Sequence, residues 1–150
     1  MPSVTITAEV DAPPELVFEV FTDFPHAASM VSAIDSIEML TDPPVGIGTR
    51  FRETRTMFGK QHSETMEVTR FEPPRTVTLE AESCGTHYVS TYTFTPEGAG
   101  TRVDLTMEGR GVSFIGKIMS AVMSPVMSKT MRRMLETDML EVKAVIEAEH

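Results

Sequence analysis

Six polar residues in strand-like runs have the types and spacing to do chemistry: Glu53, Arg55, His62, Glu64, Tyr88 and Tyr92. Side chains two apart on a strand share a face. Turning Phe51 and Met57 toward a core turns Glu53 and Arg55 with them. Met66 and Val68 bring His62 and Glu64, and Phe94 and Tyr92 bring Ser90 and Tyr88. The last strand adds Val103, Leu105 and Met107. The result is a polar cluster in an otherwise apolar pocket. An inward arginine must pair with Glu53 or Glu64, because an unpaired buried charge costs several kcal/mol. Such a pair can orient or polarise a carbonyl or hydroxyl. His62 beside Glu64 has the makings of a general base for abstracting a proton next to a ketone. His62, Glu64 and Arg55 are therefore the catalytic candidates. The competing reading is a solvated hairpin, since all three lie near the Gly59-Lys60 turn, where charges normally stay in water.

Other chemistries find little support. Four scattered histidines and one cysteine have no ligand spacing, so no metal site is expected. Gly46-x-Gly48 is too short for dinucleotide binding, and no Gly-x-Ser-x-Gly elbow occurs, so no cofactor is expected. His26 reads as a surface or mouth residue, and His87 stands alone beside Gly85-Thr86. Cys84 reads as a reduced, inert strand residue. Lys129, Arg132 and Arg133 form a small basic group, read as a solvated helix face with Glu136 as partner. The alternative for that group is a docking surface for an acidic carrier protein.

The elements that must hold these residues follow from periodicity. Residues 4–10 alternate as a half-buried strand. Asp11 can cap a helix with Pro13 or Pro14 in its first turn and a stripe of Leu16, Val17, Val20 and Phe21. A second short helix is expected over His26–Ile34. Strands follow at 36–40, 49–58, 61–71, 76–83, 86–95 and 101–108, joined by hairpin-length turns at Gly59-Lys60, Pro73-Pro74, Gly85 and Gly98. Ile115, Ile118, Met119, Val122 and Met123 then recur at helical spacing. Ser124-Pro125 suits the start of a final helix whose stripe is Met127, Met131, Met134, Leu135, Val142 and Ile146. The fold class is α+β: a curved antiparallel sheet of six to seven strands covered by a long C-terminal helix, as one domain over residues 1–150.

The 150 residues are 41% hydrophobic, enough for a sizeable core. A formal net charge of -9 argues against nucleic acid or an anionic membrane face as partner. No apolar run reaches the length of a membrane span, and no secretory signal is visible, so the cytoplasm is the expected compartment. The residues fix no oligomeric state, and a homodimer stays open. Besides Met57, eight of the twelve methionines, Met66, Met107, Met119, Met123, Met127, Met131, Met134 and Met139, fall on the final helical stretch or on inward strand positions. Methionine fills irregular space and adapts to varied shapes, so core filling and cavity lining are both open for them.

Several phrases occur in a telling order: Asp11-Ala12-Pro13-Pro14-Glu15-Leu16-Val17-Phe18 with Thr22-Asp23, Gly46-Ile47-Gly48-Thr49-Arg50-Phe51, Val68-Thr69-Arg70-Phe71-Glu72-Pro73-Pro74-Arg75, and Tyr92-Thr93-Phe94-Thr95-Pro96 leading to Thr101-Arg102-Val103. Over nearly its whole length the chain resembles the START/Bet v 1-like (SRPBCC) superfamily, and within it the polyketide cyclase/dehydrase-like proteins. The resemblance implies a helix-grip fold with a deep cavity between sheet and helix. It also implies binding of lipids, polyketides or similar aromatics, with ring closure in some members. Relatives often carry a tryptophan where this chain has Ala28, Ser29 and Met30.

The leading expectation is a hydrophobic small-molecule ligand held by Phe51, Glu53, Arg55, Met57, Met66, Tyr88, Tyr92, Phe94, Met107, Met119, Val122, Met123 and Met127. A cyclase or dehydratase working by general acid/base chemistry is the second. A protein-interaction module with a filled cavity is the third.

Overall fold

The computed structural model describes residues 3–57, 59–83, 86–111 and 125–149. Seven strands form one antiparallel sheet: β1 (Ser3–Val10), β2 (Ile34–Met39), β3 (Arg50–Met57), β4 (Lys60–Glu72), β5 (Thr76–Ser83), β6 (Thr86–Glu97) and β7 (Gly100–Gly111). Their order across the sheet is β1-β7-β6-β5-β4-β3-β2. Strands β2 to β7 are a meander, and β1 closes onto the last strand with Ser3 opposite Glu108 and Val10 opposite Thr101. Helix α1 (Pro14–Phe21), a 3-10 turn (Phe24–His26) and α2 (Ala27–Met30) link β1 to β2. Helix α3 (Pro125–Glu149) ends the described chain.

Alternation decides which face of the sheet is dry. Ile6, Ala8 and Val10 on β1, Val103 and Leu105 on β7, Phe94 on β6, Val68 on β4 and Phe51 on β3 are all buried and point to one side. Helix α3 packs on that side through Leu135, Met139, Val142 and Ile146. These residues recur at three- and four-residue intervals, so a single helical stripe is withdrawn from water. Helix α1 adds Val17 and Phe18 to the same core. Phe18 meets Phe71 and Phe94 edge-on, with ring centroids 5.3 and 5.2 Å apart, the arrangement that aromatic quadrupoles favour.

The turn from β6 to β7 needs two glycines for different reasons. Gly98 has φ +61, which L side chains rarely adopt. At Gly100 a Cβ atom would stand 2.7 Å from the Val10 carbonyl oxygen, so only glycine lets the two backbones approach.

Two local expectations are corrected. Asp11 does not cap α1: Pro13 holds the N-cap position, with no side-chain cap bond. The Asp11 N–H instead donates to Glu147 Oε2 at 2.9 Å, while Ala12 N–H closes a tight turn onto Val10 O at 2.9 Å. The second helix ends at Met30 rather than Ile34, because Val31 is already extended and leads into β2. Strand β2 starts two residues earlier than expected, at Ile34. A bulge between Ile34 and Ser36 lets Ile34 pair with Arg55 while Ile37 pairs with Glu53. The expected helical run from Ile115 to Met123 and the Ser124 cap lie outside the described residues.

Candidate functional site

Strand β3 turns Phe51, Glu53 and Arg55 toward α3, as alternation requires. Arg55 is the centre of the arrangement. Its Nε donates to Glu53 Oε2 at 3.1 Å, and its Nη1 donates to Asp138 Oδ2 at 3.0 Å. The side chains of Arg55, Glu53 and Asp138 are only 13%, 13% and 17% exposed, so the ion pairs are largely dry. Two carboxylates share one guanidinium, and a third carboxylate, Glu64, lies directly across from Glu53 on β4. The sequence expected Arg55 to pair with Glu53 or Glu64; it pairs with Glu53 and with a residue not foreseen.

Asp138 is that residue. It interrupts the apolar stripe of α3, three residues after Leu135 and four before Val142. An acid at that spacing was the available signal, since a stripe position faces the sheet whatever its polarity. Its second oxygen, Oδ1, is buried and without a hydrogen-bond partner among the described residues.

The electrostatics follow from burial. Loss of hydration is the largest influence on Asp138 and Glu53, and it holds both carboxyls above their ordinary pKa although Arg55 pulls them down. Glu64 pushes Glu53 further up. Burial works against the Arg55 charge, but Glu53 and Asp138 outweigh it and keep its pKa above the usual value. The Tyr92 hydroxyl is pushed well above the usual phenol range, first by burial and then by the Asp138 and Glu53 charges. Tyr92 therefore stays protonated and can donate.

The remaining predicted residues divide into three groups. Met66, Tyr88, Tyr92 and Met107 are half-buried on the dry side of the sheet, as is Glu64. Phe51 and Phe94 are each only 2% exposed and belong to the packed core rather than to an open wall. Phe51 stacks on Phe24 at 4.6 Å, and Phe94 packs against Phe18 and Phe21. The third group is beyond view: Met119, Val122 and Met123, and the side chains of Met57 and Met127, lie outside the described residues. His62 pairs in register with Arg55, yet it is exposed beside the Gly59 turn and its imidazole has no hydrogen-bond partner among the described residues. Burial against a carboxylate, which would support the general-base reading, is not seen at His62.

His87 does not stand alone. On the other face of the sheet its Nε2 lies 2.7 Å from Glu80 Oε1, and its Nδ1 lies 3.4 Å from Glu82 Oε1. The hydrogen bond with Glu80 is the main reason its pKa is raised. His26 is exposed and pairs with Asp23, as a surface residue should. Arg132 has its expected partner, Glu136, at 3.9 Å, and also donates to the Thr5 carbonyl at 2.8 Å. Among the described residues no cluster of three or more potential metal ligands occurs, and no helix is long and apolar enough to cross a membrane.

Two surface clefts are formed by described residues. One, of about 750 Å³, lies between α1 and the β4–β5 turn, with Glu15, Glu19, Asp23, Val45 and Pro73 among its walls. The other, of about 390 Å³, lies at the β6–β7 turn beside Lys143 and Glu147. None of the predicted site residues lines either cleft.

The fold has close structural counterparts. The protein TTHA0849 from Thermus thermophilus superposes with a TM-score of 0.81 at 23% identity, over 99% of both chains. The Zhui aromatase/cyclase from a Streptomyces species superposes with a TM-score of 0.76 at 20% identity, over 97% of this chain and 93% of that one. Ginseng major latex-like protein 151 from Panax ginseng gives 0.76 at 12% identity, over 95% of both. At these identities the likeness establishes a shared architecture, the helix-grip arrangement of Bet v 1-like proteins. No curated protein sequence matches the chain. Residues 1–147 match the family described as polyketide cyclase/dehydrase and lipid transport, and the chain belongs to that family.

Proposed function

We propose that this chain binds a hydrophobic small molecule between the dry face of the sheet and α3, with the Glu53–Arg55–Asp138 group and Tyr92 orienting its polar end. One observation carries the reading. Toward Val10, Val103, Phe94 and Ile146 the inner face is closed, with each side chain 2% exposed or less. At Arg55 its partners Glu53 and Asp138, and elsewhere on the inner face Met66, Tyr92, Met107 and Met131, keep accessible surface. Inward side chains that keep free surface are not sealed by packing, which supports room for a ligand there. Apolar walls with a few convergent polar groups are the usual composition of a ligand site. The packed half suits the alternative of a filled core; the polar half does not.

A second reading draws on the same group. Two buried carboxyls with raised pKa beside a protonated tyrosine can hold and move protons, which supports general acid/base catalysis of the cyclase or dehydratase kind. In that reading Asp138 and Glu53 are the proton carriers, and Arg55 with Tyr92 donates to a carbonyl oxygen. His62, exposed, has no place in it.

Native mass spectrometry of freshly purified protein tests the binding reading. The expected result is an added mass that disappears on denaturation, together with uptake of the neutral dye Nile red that rises in fluorescence and saturates. Protein that carries no added mass and leaves Nile red unchanged overturns it.

A further inference from the structure

We infer that the polar end of this site selects neutral, oxygen-bearing molecules and rejects carboxylates of the same shape. The inference rests on the binding reading above and names the ligand class. An arginine in an apolar pocket is ordinarily the natural seat for an anionic head, because its planar fork pairs with carboxylate. Here the charge of the fork is already paired with two carboxylates. Arg55 spends Nε on Glu53 at 3.1 Å and Nη1 on Asp138 at 3.0 Å, so both partners of its charge are supplied by the protein. With Glu53 and Asp138 ionised, the group carries one net negative charge, and Glu64 opposite Glu53 adds another. Lys129, Arg132 and Arg133 do not offset this: Arg132 is turned to Glu136 and the Thr5 carbonyl, and Lys129 and Arg133 are exposed. An anionic head placed there meets like charge in a poorly hydrated site, which weakens its binding.

What remains for a ligand is a set of donors. A guanidinium has five N–H groups, and two are used among the described residues. The Tyr92 hydroxyl is a further donor on the same inner face. These suit a ketone, phenol or ether oxygen, which accepts hydrogen bonds without bringing charge. The apolar walls from Met66, Met107 and Met131 suit the remainder of such a molecule.

A matched pair of probes tests this. The ketone 2-acetylnaphthalene and the anion 2-naphthoate have nearly the same shape and differ in charge. Each is titrated against the Nile red complex of the full chain at pH 7.5. The ketone is expected to displace the dye at a concentration about tenfold or more below that of the carboxylate, as like-charge exclusion requires. In Asp138→Asn, which keeps the side-chain shape and frees one valence of Arg55, the gap is expected to shrink to roughly threefold or less through tighter binding of 2-naphthoate. Circular dichroism establishes that the variant is folded. Equal displacement by both probes in the parent overturns the charge selectivity while leaving ligand binding standing, and so does an unchanged gap in the folded variant. A protein that takes up no Nile red overturns both readings.

Discussion

Replacing Arg55 with methionine isolates the ion-pair group, because methionine keeps the length of the side chain and removes its charge and donors. The parent protein buries two carboxyls around Arg55 with side chains 13–17% exposed. Breaking a fully buried pair by deleting one partner costs about 3–5 kcal/mol. The remaining solvent access at this site lowers the expected cost to roughly 2–3 kcal/mol at neutral pH. For a chain of this size that lowers the melting temperature by roughly 5–10 °C. The pH dependence is the sharper test. Burial already raises the Glu53 and Asp138 pKa values above their unfolded ones. Each carboxyl therefore holds its proton more tightly when folded. Its contribution to stability is greatest below the unfolded pKa and declines as pH rises through the folded one. Arg55 is the group that pulls both values back down, so without it the decline is steeper and extends to higher pH. Arg55→Met should thus melt far below the parent at pH 7.5 and approach it near pH 5. Thermal melts followed by circular dichroism at the two pH values measure this directly. A variant within about 1 °C of the parent at pH 7.5, or with the same deficit at both pH values, refutes the description of this group as a dry, charge-coupled unit.

Two further outcomes are expected. Phe18→Ala removes a ring that is 4% exposed and touches two others edge-on; it should cost about 3–5 kcal/mol, seen as a lower urea midpoint with an unchanged slope. His87 is held above its ordinary pKa, chiefly by Glu80 with help from Glu82. Its stabilising effect is complete below the unfolded histidine pKa and fades as pH climbs through the raised folded value. His87→Gln should remove that part of the slope, an effect below about 1 kcal/mol for a partly exposed pair, with the imidazole titration followed by NMR in the parent.

The strands were legible because alternation and turn residues agree on them. Thr76–Ser83 falls where expected to the residue, and the other ends shift by at most a few positions. Parity also placed Glu53 and Arg55 on the inner face. Three matters were hidden. Asp138 drew no notice in the sequence, since a lone acid within an apolar helical stripe stands out only when its spacing is taken literally. His62 has the inward parity it was given, but parity says nothing about how far a hairpin end extends beyond cover. His87 found partners through cross-strand register with Glu82 and the neighbouring Glu80, and register is a property of the assembled sheet rather than of a strand alone. The polar centre is therefore made by residues about eighty positions apart, Arg55 and Asp138, a pairing that no local pattern announces.

The zipping of β1 onto β7 has a consequence for how the molecule is made. Strand β1 is synthesised about a hundred residues before β7, its hydrogen-bonding neighbour. Until then β1 waits with Val4, Ile6 and Val10 uncovered, and such distant closures are slow. Biogenesis of this protein should accordingly be least tolerant of delay late in synthesis, and nascent chains halted before residue 101 should be the species that holdase chaperones retain.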